Sequence, residues 1–113
     1  AELDRQLNAR ATVPDFTVFT KAYADESARC RASLPCHVNV RYGSLDEERI
    51  DIFPAVSAQP APVFIFIHGG YWRLLDAADS SFMAETFTQA GACVVAINYG
   101  LAPATSLPAI VQQ

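Results

Sequence analysis

Two unbroken apolar runs constrain this chain more than any other feature: Val63–Ile67 (V-F-I-F-I) and Cys93–Ile97 (C-V-V-A-I). A strand with one wet face alternates, whereas these runs are continuous and rich in β-branched and aromatic residues. They read as strands of a parallel sheet, and Val63–Ile67 in particular as one buried on both faces. Between them, Phe82, Met83, Thr86, Phe87 and Ala90 recur at helical spacing. The spacing predicts a helix over 79–90, with Asp79 or Ser80 as N-cap and Gly91 at its C-terminal end. Strand, helix, strand is a βαβ unit, which joins a parallel pair by a crossover.

The segments before this unit follow other periods. Val38, Val40 and Tyr42 alternate with His37, Asn39 and Arg41, and Arg49–Phe53 alternates again. Joined by the short polar stretch 43–47, these two runs predict an antiparallel hairpin. His37 falls on its polar face and reads as a surface residue. Pro54–Pro62, rich in Ala and Pro, reads as an exposed connection. Leu3, Leu7 and Ala11 suit a first helix over 1–12, and Pro14 forces a break after it. From about Asp15 a longer helix carries Phe16, Phe19, Tyr23, Ala24, Ala28 and Ala32 on one face, read as packing, until Pro35 ends it. The expected organisation is an N-terminal helical cap over 1–34 and an α/β core over 35–113. Ser106–Gln113 reads as the first turns of another helix.

Composition narrows the function classes. The chain has 113 residues, enough for one domain, and a formal charge of −4. That balance argues against nucleic acid or an anionic membrane as partner. No apolar run approaches the roughly 20 residues of a membrane span, and the polar start has no signal-sequence pattern. Cys30, Cys36 and Cys93 show no C-x-x-C spacing and read as reduced thiols of a cytoplasmic protein. His37 and His68 are the only histidines. Cys36 and His37 are neighbours that a strand points to opposite faces, which argues against a thiolate–imidazole pair. No metal-ligand spacing is present, and neither metal nor cofactor is expected.

The chemistry-bearing stretch is His68-Gly69-Gly70-Tyr71-Trp72, directly after the first apolar strand. Adjacent glycines leave backbone N–H groups uncovered and allow dihedrals that other residues avoid. Such a loop can aim amides at a developing negative charge, as an oxyanion hole requires. A Gly-Gly pair alone is equally compatible with a plain turn. The whole pentapeptide, together with Asn98-Tyr99-Gly100-Leu101-Ala102-Pro103 after the second apolar strand, resembles the α/β-hydrolase superfamily. The likeness is to its arylformamidase (kynurenine formamidase-like) and esterase branch, with an H-G-G-x-W oxyanion motif. Gly100 departs from that pattern, standing where Arg or Asp is common.

The resemblance implies a fold and a set of roles. The chain would be the N-terminal portion of an α/β-hydrolase: N-terminal helices, an antiparallel hairpin, then the parallel βαβ unit. Backbone N–H groups of Gly70 and Tyr71 would hold the oxyanion, Gly69 would permit the turn, and His68 would brace the loop. The side chains of Tyr71 and Trp72 would wall the acyl or aryl pocket, although Trp72 is equally plausible as a packing residue. Such an enzyme also needs Ser on a G-x-S-x-G elbow, then Asp or Glu, then His. No serine here has glycine two residues before and two after it. The nucleophile, acid and base are thus absent, and the chain is expected to stop short of the nucleophile strand. With the superfamily strand order 1-2-4-3-5, Val63–Ile67 would become an open edge, prone to homodimerise or to associate with the remainder of its own chain. The expected function is part of a serine hydrolase acting on a small ester or aryl formamide, inactive as this piece alone. The alternative is a noncatalytic hydrolase-like module for binding or scaffolding.

Overall fold

The computed structural model describes residues 2–57 and 60–113. The elements run α1 (Glu2–Leu7), a 3₁₀ turn (Ala9–Thr12), α2 (Thr17–Ser33), β1 (His37–Arg41), β2 (Arg49–Phe53), β3 (Val63–Ile67), α3 (Ala84–Gln89), β4 (Cys93–Ile97) and α4 (Leu107–Gln112). Residue 1 of the expected first helix, and Ala58 and Gln59 of the Pro54–Pro62 connection, lie outside the described residues. The sheet order is β1-β2-β4-β3, with β1–β2 and β2–β4 antiparallel and β3–β4 parallel. Both the hairpin and the parallel pair form, in the order that the hydrolase resemblance implies for the first four strands.

Strand register explains where the core sits. Phe53 pairs with Val94, and Val94 with Phe64, so these three side chains form one row across one face of the sheet. α2 and α3 cover this face. Cys30, Phe53, Ala84 and Val94 form the buried cluster, and Leu34, Cys36, Phe64, Met83 and Phe87 pack against it. Phe64 stacks on Phe87 at 4.2 Å, and Phe66 meets Phe82 edge-on at 5.8 Å.

The other face of the sheet corrects the expectation of a doubly buried strand. Val63, Ile65 and Ile67 of β3 are 59, 56 and 66% exposed. β3 is the outermost strand, and α2 and α3 pack against its Phe64–Phe66 face. All five residues of β1 are exposed as well, although Val38 and Val40 were expected on a half-buried face. β1 is the edge strand at the opposite side of the sheet from β3.

The helix faces also differ from the periodic reading. α2 buries Ser27 and Cys30, and Tyr23 stacks on Phe82 at 4.7 Å, whereas Phe19, Ala28 and Ala32 are exposed. Small side chains win the inner face because the 77–82 loop comes close: Ser81 donates its N–H to Ser27 Oγ at 2.9 Å. α3 begins at Ala84, not at Asp79, because 76–81 is spent on turns. There Asp79 donates its N–H to Asp76 Oδ1, and Ser80 Oγ donates to the Asp76 carbonyl. α3 consequently buries Ala84 and Thr88, with Thr86 and Ala90 outside. Gly91 follows the C-cap Ala90 in left-handed geometry, φ +91°, where glycine is favoured. Cys93 is half-buried.

The open β3 edge sets the behaviour of this chain in isolation. Unpaired strand edges flanked by apolar side chains template pairing with another copy. The isolated 113-residue chain is therefore expected to elute as a concentration-dependent dimer or larger species in size-exclusion chromatography with light scattering. A monodisperse monomer with a sharp cooperative melt would refute this.

Candidate active site

β3 ends at Ile67, and the loop after it reverses direction within a few residues. Gly70, Tyr71 and Trp72 have φ of +107°, +55° and +56°. Left-handed backbone at a non-glycine residue costs about 1–3 kcal/mol and persists only where surrounding contacts impose it. Those contacts are present. Arg73 donates its N–H to the Gly70 carbonyl at 3.0 Å, and Ala102 donates to the Trp72 carbonyl at 2.7 Å.

The two glycines are not equivalent. A Cβ at Gly70 would collide with the Leu74 carbonyl, whose carbon would lie at 2.9 Å, and the φ there is unfavourable to any side chain. At Gly69 a Cβ meets nothing within 4 Å. The turn therefore depends on Gly70, which corrects the expectation that Gly69 permits it.

His68 is buried against the sheet end, 2% exposed. Its Nδ1 lies 2.9 Å from the Gly69 carbonyl oxygen, and its ring stacks on Tyr99 at 4.2 Å and 8°. The Tyr99 hydroxyl donates to the His68 carbonyl at 2.5 Å. Burial pushes the Tyr99 phenol up, which keeps it a donor across the neutral range.

Outside this support the loop opens on a cavity of about 430 Å³, lined by His68, Gly69, Gly70, Tyr71, Trp72 and Tyr99. Tyr71 is 71% and Trp72 51% exposed, so both side chains are free to meet a ligand. The Tyr71 hydroxyl lies 3.5 Å from the Leu7 carbonyl, bringing the end of α1 to the rim. An apolar hollow of about 330 Å³ adjoins, sharing His68, Trp72 and Tyr99 and walled by Ile67, Ile97 and Ile110. A third recess, about 340 Å³, lies by the hairpin around Arg31, Asp51 and Asn98. Its polar groups are engaged by the fold: Asn39 donates its N–H to Asp51 Oδ1, and Asn98 bridges the Ala77 N–H and the Glu47 carbonyl.

The loop brings together all five expected site residues, 68–72, around one cavity. Among the described residues, no serine or cysteine lines that cavity. Ser27, Ser80 and Ser81 are buried and hydrogen-bonded to backbone, and His37 sits on the exposed edge strand. Among the described residues no cluster of His, Cys, Asp or Glu could hold a metal ion, and no helix is long and apolar enough to cross a membrane. Sequence reasoning gave no role to Asn98, Tyr99 or Ala102. A signal was available: the loops after neighbouring parallel strands leave the same sheet end, so 98–103 had to lie beside 68–73.

The BD-FAE family model matches residues 50–113. The chain is similar to the kynurenine formamidase of Danio rerio, 36% identical over 86 residues, covering 75% of this chain and 29% of that protein. It is likewise similar to that of Salmo salar, 33% identical over 93 residues, covering 81% and 32%. The chain thus spans about a third of the length of these relatives. Among solved structures, a Silicibacter protein provisionally assigned as a thioesterase superposes with TM-score 0.90 at 28% identity, covering 98% of this chain and 43% of that one. Esterase B from Lactobacillus rhamnosis superposes at 0.63 and 20% identity, covering 85% and 33%, a likeness of fold alone.

Proposed function

Because the chain belongs to the BD-FAE family of α/β-hydrolases, in its arylformamidase-like branch, we propose that it forms the oxyanion-binding part of a serine hydrolase acting on a small ester or an aryl formamide. The observation that carries this reading is the loop after β3. There Gly70 at φ +107° is followed by two residues in left-handed geometry, and successive amides border a cavity flanked by aromatic rings. In such a site the carbonyl carbon of the substrate becomes tetrahedral on attack, and its oxygen gains charge. N–H groups of Gly70 and Tyr71 stabilise that charge more than they stabilise the ground-state carbonyl, which lowers the barrier. Tyr71 and Trp72 offer flat apolar surface to an aryl leaving group or a short acyl chain. The attacking serine and its base come from sequence other than the residues described. The cytoplasm is the compartment that three free cysteines suit best.

The test is direct. The full-length protein is expected to hydrolyse p-nitrophenyl acetate or N-formylkynurenine and to lose this activity to an organophosphate. The 113-residue chain alone is expected to stay at the uncatalysed rate, having no activated nucleophile. Organophosphate-sensitive turnover by the pure 113-residue chain would overturn the assignment of roles. A folded full-length protein inert to both substrates would favour the noncatalytic binding module.

A further inference from the structure

Asn98-Tyr99-Gly100-Leu101-Ala102-Pro103 is the one motif to which the proposed chemistry assigns no role. Tyr99 is 7% exposed, which packing alone would explain, but its hydroxyl bond and its ring stack both engage His68 of the loop at 68–72. We propose that Tyr99 is a positioning residue that sets the planes of the two peptides leading into Gly70, and with them the direction of the Gly70 N–H. The consequence for turnover rests on the oxyanion reading above; the positioning itself does not.

The argument is geometric. A trans peptide is planar, with its C=O and N–H pointing opposite ways. The Tyr99 hydroxyl holds the His68 carbonyl at 2.5 Å, which orients the His68–Gly69 peptide. The Gly69–Gly70 peptide carries the Gly69 carbonyl on one side and the Gly70 N–H on the other. His68 Nδ1 lies 2.9 Å from that carbonyl, so His68 orients the peptide that bears the oxyanion donor. A carbonyl only accepts, so Nδ1 carries the proton. Nε2 is buried and has no hydrogen-bond partner among the described residues. Among the described residues, the ring is held by its Nδ1 contact and by the face of Tyr99, 4.2 Å away and within 8° of parallel. Tyr99 thus acts on the first peptide through its hydroxyl and on the second through its ring. The same segment holds the far end of the loop, where Ala102 donates to the Trp72 carbonyl at 2.7 Å.

Tyr99→Phe and Tyr99→Leu in the full-length protein separate the two actions, since Phe keeps the ring and Leu keeps neither. Amide exchange by mass spectrometry over 68–73 is expected to quicken about 5-fold or more in Phe and further in Leu, with β2 and β4 unchanged. In parallel, kcat is expected to fall about 10-fold in Phe with KM within about twofold, the split expected when only the transition state is mishandled. A purely structural role would lower the melting temperature and quicken exchange everywhere, leaving kcat per folded molecule intact. Should the Phe variant fail to fold, a fluorotyrosine at position 99 changes the hydroxyl bond at nearly constant shape, and the same exchange and kcat readouts apply. Unchanged loop exchange in a folded variant overturns the proposal. Faster loop exchange in a protein whose wild type hydrolyses neither substrate upholds the positioning and overturns the hydrolase reading.

Discussion

In the full-length protein, Gly70→Pro is expected to lower kcat by about 100- to 1,000-fold, the usual consequence of losing one oxyanion donor. Two causes act together. Proline has no N–H, so the donor itself disappears, and its ring fixes φ near −65° where the loop holds +107°. Gly70→Val keeps the N–H but places a branched Cβ against the Leu74 carbonyl, so it misdirects the amide instead of deleting it. Tyr71→Phe is the contrast. The Tyr71 contribution proposed for the oxyanion is its backbone N–H, and its side chain is exposed, so kcat should stay within roughly tenfold and the change should fall mainly on KM. Steady-state kinetics on variants with near-native melting decides the matter. A folded Gly70→Pro enzyme with near-normal kcat would place the oxyanion elsewhere and reduce His68-Gly69-Gly70 to a turn.

Phe53→Ala is expected to destabilise the full-length protein by about 3–5 kcal/mol, read as a lower denaturation midpoint at unchanged slope. Phe53 is fully buried and lies between β-strand backbone and two helices. Its neighbours Cys30, Ala84 and Val94 are small and sit on packed elements, so they cannot collapse into the space the ring leaves. The residual cavity adds to the lost transfer energy, which puts the cost in the upper part of the range for core truncations. Val18→Ala, at an exposed position of α2, should stay within about 0.5 kcal/mol. A Phe53→Ala protein as stable as that control would mean that the row Phe53–Val94–Phe64 is not the centre of the core.

The strands were the most legible part of the chain, and the helices the least. Arg49–Phe53, Val63–Ile67 and Cys93–Ile97 stand in the structure with the bounds that their apolar pattern marks. A strand's side-chain period is 2, so a short run declares its extent and which residues share a face, but not which faces are covered: one face of β3 and all of β1 are exposed. The faces of α2 and α3 were misjudged because helical spacing identifies a stripe only when one side is plainly more apolar than the other. In α2 the inner side carries Ser27 and Cys30 while Phe19 points outward, and no local rule ranks a serine above a phenylalanine for burial. The close approach of the 77–82 loop made that choice, and it involves residues more than 50 positions away.

The site divides along the same line. Sequence by itself determined that a Gly-Gly loop follows a buried-type strand, that a parallel strand lies beside it, and that no serine sits on a nucleophile elbow. These follow from residue identity and short-range spacing, which the chain carries wherever it folds. Only the tertiary structure decided that Gly70 rather than Gly69 bears the left-handed turn, and that Tyr99 grips His68. Which glycine needs its freedom depends on Leu74 crossing over it, and which hydroxyl meets which carbonyl depends on two loops converging at one end of a sheet. Such contacts join residues as far as 31 positions apart, and only packing of the sheet brings them within a hydrogen bond of each other.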